Sequence, residues 1–410
     1  MQINIQRRKV ITYKSLLDYF VVFFLYFCLS IFIFNPRYAA EIFTLIGTLS
    51  LISLTIKMDF SEKKKYFLPA ALIGYGIIQL LWAYYYQKDN SEFSGTYRSY
   101  KDTGKILIIS GLIIINIINA NLKKLSKFRQ LFLIPAFLLL GYAAYEKIYF
   151  SGRLGLSFGQ YATATAYFIT FFSIFVIASL KNDIIINFIV FVISFYLLIL
   201  TETRAAIVFY PVIICAFILF KFSNKSKKIK FYLVFFLLII FSITTLLNKD
   251  ILIRRMNNIV SDISLYQNKS NSKSSVGARL AMIRIGLNTG YNNLLGQSLE
   301  QRDQEIKELV LSQPLFEGGA IYSNVHLHNE IVDNFSLKGW WGVLGYLILM
   351  LALFYESYLK KSLDLLLFSI SSAVYGMSDM ILYGNNMTLS WSLLLIMIIF
   401  ITELKKEKVE

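Results

Sequence analysis

The sequence predicts an all-α polytopic membrane protein of about twelve transmembrane helices with one large, mostly helical loop. Three observations carry this prediction. Of 410 residues, 56% are hydrophobic and 16% charged, with a mean hydropathy of +0.58. Soluble domains typically carry about a quarter charged residues, so this chain lacks the polar surface that a water-facing enzyme needs. Apolar runs of roughly 18–22 residues recur from end to end, each long enough to cross a hydrocarbon core about 30 Å thick. Finally, the Lys and Arg residues behind the net charge of +16 fall mostly in short clusters between the runs. Such clusters set orientation in a membrane, which argues against nucleic acid as a partner.

The spans are expected at about 16–34, 38–56, 66–86, 103–120, 131–149, 159–180, 183–200, 205–221, 231–248, 339–358, 363–383 and 388–403. Arg7, Arg8 and Lys9 precede a first run of full spanning length, with no small-residue cleavage site after it. That helix is therefore expected to be retained. The runs at 183–200 and 205–221 are joined only by Thr201-Glu202-Thr203-Arg204 and form a tight hairpin. Pro69, Pro135 and Pro211 lie near or inside helices without the pairing between halves seen in many transporters. Cys28 and Cys215 sit within apolar runs and read as core residues.

Alternate connections differ in charge. One set carries Arg7, Arg8, Lys9 and Lys14, then Lys57 and Lys63–Lys65, then Lys123, Lys124, Lys127 and Arg129, then Lys181. It continues through Lys221–Lys230, Lys360 and Lys361 to Lys405, Lys406 and Lys408, more than half of the 41 basic residues. The positive-inside rule places this set, with both termini, in the cytoplasm. An even number of spans agrees.

The connection over 249–338 breaks the pattern of short loops. It follows the ninth span, on the non-cytoplasmic side, and is too apolar to be disordered. Loops of this length are usually functional or disordered. Residues 251–265 and 277–289 have helical spacing, with Leu280, Ile283 and Leu287 on one face, and 299–312 reads as an amphipathic helix. The expected organisation is therefore nine transmembrane helices over 1–248, a helical cap over 249–338, and three transmembrane helices with a cytoplasmic tail over 339–410.

Few groups can do chemistry. The two histidines lie together in Val325-His326-Leu327-His328-Asn329-Glu330, shortly before Gly339-Trp340-Trp341-Gly342 opens the tenth span. A neutral imidazole there is a ready general base; the plainer reading is a pair of solvated loop residues. Arg204 in the hairpin is either an interfacial anchor or a bidentate anion ligand. Arg279 opens a helix, where free N–H groups also favour anions. Lys105 opens the fourth span on the same side. Asp379, within the eleventh span, is an intramembrane carboxylate that should have a cationic partner, Arg204 or the His328 region. There is no Gly-rich nucleotide loop, no Asp-x-Asp pair and no His/Cys cluster with zinc spacing. Asp303-Gln304-Glu305 reads as a charged helix face. What remains is a basic, metal-poor site suited to a lipid-linked phosphate or diphosphate.

Four stretches make the chain similar to the bacterial O-antigen ligases, within the wider ligase and O-antigen polymerase superfamily. They are Thr201-Glu202-Thr203-Arg204-Ala205, Gly277-Ala278-Arg279-Leu280-Ala281-Met282, Ser323-Asn324 through Glu330, and Gly376-Met377-Ser378-Asp379. The family signature is His, then Asn, Ser or Gln, nine residues, and Gly-x-x-Gly. His328-Asn329 through Gly339-Trp340-Trp341-Gly342 fits it, with Val343 where the family often has Thr. Twelve spans and a large loop before the tenth also match, so the likeness covers nearly the whole chain.

The resemblance implies a fold like that of GT-C-like glycosyltransferases and a multi-pass protein of the bacterial inner membrane with a periplasmic active site. It implies transfer of O-antigen glycan from undecaprenyl diphosphate to lipid A–core, with inversion at the anomeric carbon. No metal, ATP or other cofactor is expected, and the partners are those two substrates and membrane lipids. On this reading His328 is the general base, Arg204 and Arg279 grip the diphosphate, Lys105 assists, and Asp379 orients an Arg or the His. His326, two residues from His328, is expected to point elsewhere and to have a supporting role at most, and Asn329 to contact substrate. An O-antigen polymerase is the nearest alternative; a lipid-linked glycan flippase lies further off.

Overall fold

The computed structural model describes residues 2–56, 63–120, 125–180, 184–221, 260–266, 272–322 and 325–406, with isolated positions between 235 and 257. Helices occupy α1 (Gln2–Phe32), α2 (Pro36–Ile56), α3 (Phe67–Tyr86), α4 (Ser94–Ile118) and α5 (Leu133–Tyr149). Then come α6 (Ala162–Ser179), α7 (Ile184–Leu200), α8 (Arg204–Lys221), α9 (Ser275–Asn292) and α10 (Leu299–Ser312). The series closes with α11 (Glu330–Leu359), α12 (Leu363–Ser378) and α13 (Gly384–Lys406). Among the described residues there is no strand.

By length and composition, α1, α2, α3, α5, α6, α11 and α13 are each able to cross a membrane, and α7, α8 and α12 are shorter apolar helices. α4 completes the set, with Arg98, Lys101, Asp102 and Lys105 in its first half. Eleven of the twelve expected spans thus fall on helices. The ninth, 231–248, lies outside the described residues save for isolated positions; of the helix expected over 251–265, residues 260–265 are helical and about half of the stretch lies outside the described residues. Helices satisfy every backbone group internally, which is what a hydrocarbon environment requires of so apolar a chain.

α6 and α13 pack together at the centre, almost entirely buried. Hydroxyls join the helices across this core: Thr170 Oγ1 lies 2.9 Å from Tyr375 Oη, Thr103 Oγ1 lies 3.1 Å from Thr388 Oγ1, and Trp391 Nε1 donates to Ser372 Oγ at 2.9 Å. With no water to compete, such bonds fix which helices meet.

Three boundaries differ from expectation. α4 begins at Ser94, so Lys105 lies in its fourth turn rather than opening the span. α11 begins at Glu330, nine residues before Gly339. α12 ends at Ser378, and Asp379 follows in extended conformation (φ −162°) instead of lying within the helix. In α11, Gly339 has φ +58° and ψ −147°, and a Cβ there would come 2.0 Å from the Leu294 carbonyl oxygen. Trp340 N–H donates to that carbonyl at 3.0 Å and Gln297 N–H to Leu337 O at 2.8 Å, so the kink is joined to the turn between α9 and α10.

The buried face of α9 is also not the expected one. Leu280 and Leu287 are 37% and 40% exposed, while Gly277, Ala278, Ala281, Met282, Ile285, Gly286, Thr289 and Gly290 are buried. The cause is close approach to α11: a Cβ on Gly286 or Gly290 would lie 2.3 Å from Val332 or Phe335. Small residues let helices approach closely, so the face toward α11 is built around Gly286 and Gly290, while Leu280, Leu287 and Tyr291 turn outward. α10 carries a second surprise, because its inward face includes Arg302 and Asp303 alongside Leu299 and Ile306.

Candidate functional site

The connection from residue 325 to 329 enters α11 through a left-handed turn at His328 (φ +48°). Histidine is among the non-glycine residues that occupy this region more often than most. Asn329 then caps α11: its Oδ1 accepts from Val332 N–H at 3.0 Å, and its Nδ2 donates to Met377 O at 2.8 Å. The residue expected to contact substrate is therefore engaged in holding the loop to α11 and α12. Leu327 turns into the core, while the histidines on either side of it face one another, ring centroids 4.3 Å apart.

This corrects the expectation for His326. The turn lets His328 N–H donate to His326 Nδ1 at 3.2 Å, so both imidazoles share one site. Burial, then the neighbouring His328, lowers His326 to about 4, and it is neutral near pH 7.

Asp379 accepts from Met380 N–H at 2.9 Å, and its Oδ1 lies 2.7 Å from His328 Nδ1. Burial alone would raise this carboxyl, but the His328 hydrogen bond, the imidazoles and Arg279 hold it below the usual carboxylate range. An ionised Asp379 places the ring proton of neutral His328 on Nδ1 and leaves Nε2 with its lone pair. That is the tautomer a general base needs. The partner of Asp379 is thus His328, one of the two choices read from sequence.

The predicted cations are placed differently from one another. Arg279 is exposed in the first turns of α9, whose cap is Ser274, and its charge acts on Asp379 and on Tyr167. Arg204 starts α8 and lies 3.9 Å from Asp262 Oδ2. Lys105 is exposed and lies 3.6 Å from Asp102 on its own helix. No described contact brings Lys105 to the histidines.

Below the loop lies a buried polar group that sequence reasoning missed. Asp333 Oδ1 accepts from Arg302 Nη1 at 2.9 Å and from Leu327 N–H at 3.0 Å, and its Oδ2 accepts from Tyr100 Oη at 2.5 Å. Both members of the Arg302–Asp333 ion pair are fully buried. Glu330 Oε1 accepts from Leu382 N–H at 2.6 Å, tying α11 to the segment after Asp379. Lys338 Nζ stands over the rings of Tyr100 and Trp82, 4.2 and 4.8 Å from their centroids. The only hint in sequence was two carboxylates three apart at a helix start, which usually mark nothing more than a favourable helix dipole.

His326, His328 and Asp379 also present three metal-type ligand atoms within 4.8 Å of one another, a cluster not anticipated from spacing. Two ligands of one zinc ion stand roughly 3.3 Å apart for tetrahedral bonds of about 2.0–2.1 Å. The His328–Asp379 pair is closer than that, at hydrogen-bonding distance, so a metal would have to open this bond. As it stands, the arrangement is an imidazole hydrogen-bonded to a carboxylate, on which the charge of Arg279 also acts.

Comparison with known proteins gives the family. The family described as O-antigen ligase matches residues 189–347. The chain is also similar to the O-antigen ligase of Escherichia coli (strain K12), 32% identical over an alignment of 391 residues that covers 92% of each chain.

Proposed function

The chain belongs to the O-antigen ligase family, membrane enzymes of lipopolysaccharide biosynthesis that join O-antigen to lipid A–core, and from that premise we propose the donor, the site and the mechanism. The donor is an O-antigen glycan on undecaprenyl diphosphate, and the reaction takes place on the periplasmic face of the inner membrane. Both termini lie in the cytoplasm. In support, the short connection over 201–204 and the one after Ser378 lie opposite the basic clusters, and the long connection over 249–338, being a long segment, translocates regardless of its own charge.

The observation that carries the mechanism is the 2.7 Å contact between His328 and Asp379. Nε2 of His328 takes the proton of the acceptor hydroxyl as its oxygen bonds to the anomeric carbon. The bond from that carbon to the diphosphate oxygen breaks, and the electron pair leaves with undecaprenyl diphosphate. Displacement from the opposite side inverts the anomeric centre. Asp379 stabilises the imidazolium, and Arg279 and Arg204 meet the leaving group's charge. Breaking the diphosphate linkage supplies the driving force, so no nucleotide enters.

The test is transfer by the purified full-length protein from an undecaprenyl-diphosphate glycan, with lipid A–core and lipid-linked glycan offered in parallel. Glycan is expected on lipid A–core, and at an undiminished rate in EDTA. Elongated lipid-linked glycan would instead identify a polymerase. Arg279→Ala is expected to raise the donor KM roughly ten- to a hundredfold, the loss of one charge-assisted contact worth about 1.5–3 kcal/mol. An unchanged donor KM in that variant would remove Arg279 from the diphosphate site.

A further inference from the structure

A groove of about 550 Å³ opens between the start of α4, α10 and the loop leading to His326. Glu92, Thr96, Ser99, Asp303, Lys307 and Tyr383 supply its polar groups. The mechanism above uses none of them. Two carboxylates, hydroxyls and an aromatic ring make a surface for neutral, hydroxyl-rich ligands. A phosphate would meet the charges of Glu92 and Asp303, and Lys307 already pairs with Asp303 at 2.6 Å.

The groove adjoins the reactive groups. The Tyr383 ring packs against His326 with centroids 4.6 Å apart, and His326 packs against His328. Beyond His328 come Asp379 and the charge of Arg279. Arg302 and Asp333, by contrast, act on His326 from the side of α10 and α11. The contacts therefore run in sequence from groove to Tyr383, the two histidines, Asp379 and Arg279. In an inverting displacement, the entering oxygen and the leaving oxygen stand on opposite sides of the anomeric carbon. If the diphosphate leaves toward Arg279, the entering hydroxyl comes from the groove.

We propose that this groove seats the outer sugars of the acceptor, the core oligosaccharide of lipid A–core, and presents one of their hydroxyls to His328. The inference rests on the ligase reading, from which it takes the base and the side of the leaving group.

Gly95 offers a direct probe, since it lines the groove and a Cβ added there meets nothing within 4 Å. A Gly95→Trp substitution therefore introduces an indole into the groove from a position where its Cβ is unobstructed. In full-length protein acting on lipid A–core isolated from the producing strain lacking this enzyme, Gly95→Trp is expected to raise acceptor KM about tenfold or more. Donor KM should be unchanged, because the two substrates bind apart. Glu92→Gln, a milder change, is expected to raise acceptor KM a few-fold and serves should the tryptophan variant misfold. Equilibrium titration with delipidated core oligosaccharide, which requires no turnover, is expected to show the same weakening; weakening only for lipid A would place the contact with the lipid and overturn the proposal.

Two further outcomes separate the proposal from its premise. Should wild type glycosylate lipid A–core while both variants keep the wild-type acceptor KM, or raise donor KM instead, only the groove assignment falls. Should wild type extend lipid-linked glycan and leave lipid A–core untouched, the ligase reading fails first and the groove assignment with it.

Discussion

Replacing His328 with alanine is expected to cut kcat by about 10²–10⁴-fold, the usual contribution of a positioned general base, while donor KM stays near its wild-type value. The arginines proposed to meet the diphosphate are on other elements, so donor binding is expected not to depend on the imidazole. Nor is His326 able to take over. It is 4.3 Å away between ring centroids, but burial holds it at about 4, which leaves it a far weaker base at neutral pH. Alanine adopts the left-handed backbone at this position at a cost of roughly 1–2 kcal/mol, so thermal unfolding in detergent, measured beside kcat, is the control that shows the fold is intact. Wild-type kcat in His328→Ala would end the base assignment. A raised donor KM with unchanged kcat would move the residue from catalysis to binding.

Arg302→Ala is expected to be the most destabilising single change within the cap, at about 3–5 kcal/mol, because it leaves the Asp333 carboxylate buried without its counter-ion. The same carboxylate holds Leu327 N–H between the two histidines, so activity should fall together with stability. Exchanging both partners, as in Arg302→Met with Asp333→Asn, removes the stranded charge and is expected to recover much of the stability but not the loop geometry. Denaturant or thermal unfolding in detergent, set beside kcat for the single and double variants, reads the two effects apart. A single variant as stable as wild type would show that the pair is replaceable by solvent, contrary to its complete burial.

The spans were legible because a ~30 Å hydrocarbon layer imposes a length and a composition that any reader of the chain can measure. The candidate residues of the site stood out for another reason: histidine is so scarce here that two in one loop draw notice. Geometry that depends on distant partners was not. Arg302 looks like one more charge on a polar helix until α11 supplies Asp333, 31 positions later. Leu280 and Leu287 look like a core face because hydrophobicity alone cannot register that α11 approaches the glycines of α9 too closely for large side chains. His326 was misjudged because a single positive φ at His328 reverses the chain between the two rings. Asp379 was placed inside a span because the apolar Met380, Ile381 and Leu382 continue the hydrophobic run after the helix has ended.

The length of α11 has a consequence for where the two lipids meet. Its 30 residues measure about 45 Å at 1.5 Å per residue, against a hydrocarbon layer of about 30 Å. The excess corresponds to the segment from Glu330 to Lys338, about 14 Å of helix ahead of the bend at Gly339. With the part of α11 after Gly339 crossing the hydrocarbon layer, His328 would stand at about the height of the lipid headgroups, where the diphosphate of the proposed donor would rest without being lifted from the bilayer. Both substrates can arrive by lateral diffusion, each keeping its tails in oil, and only sugars have to cross the gap between them.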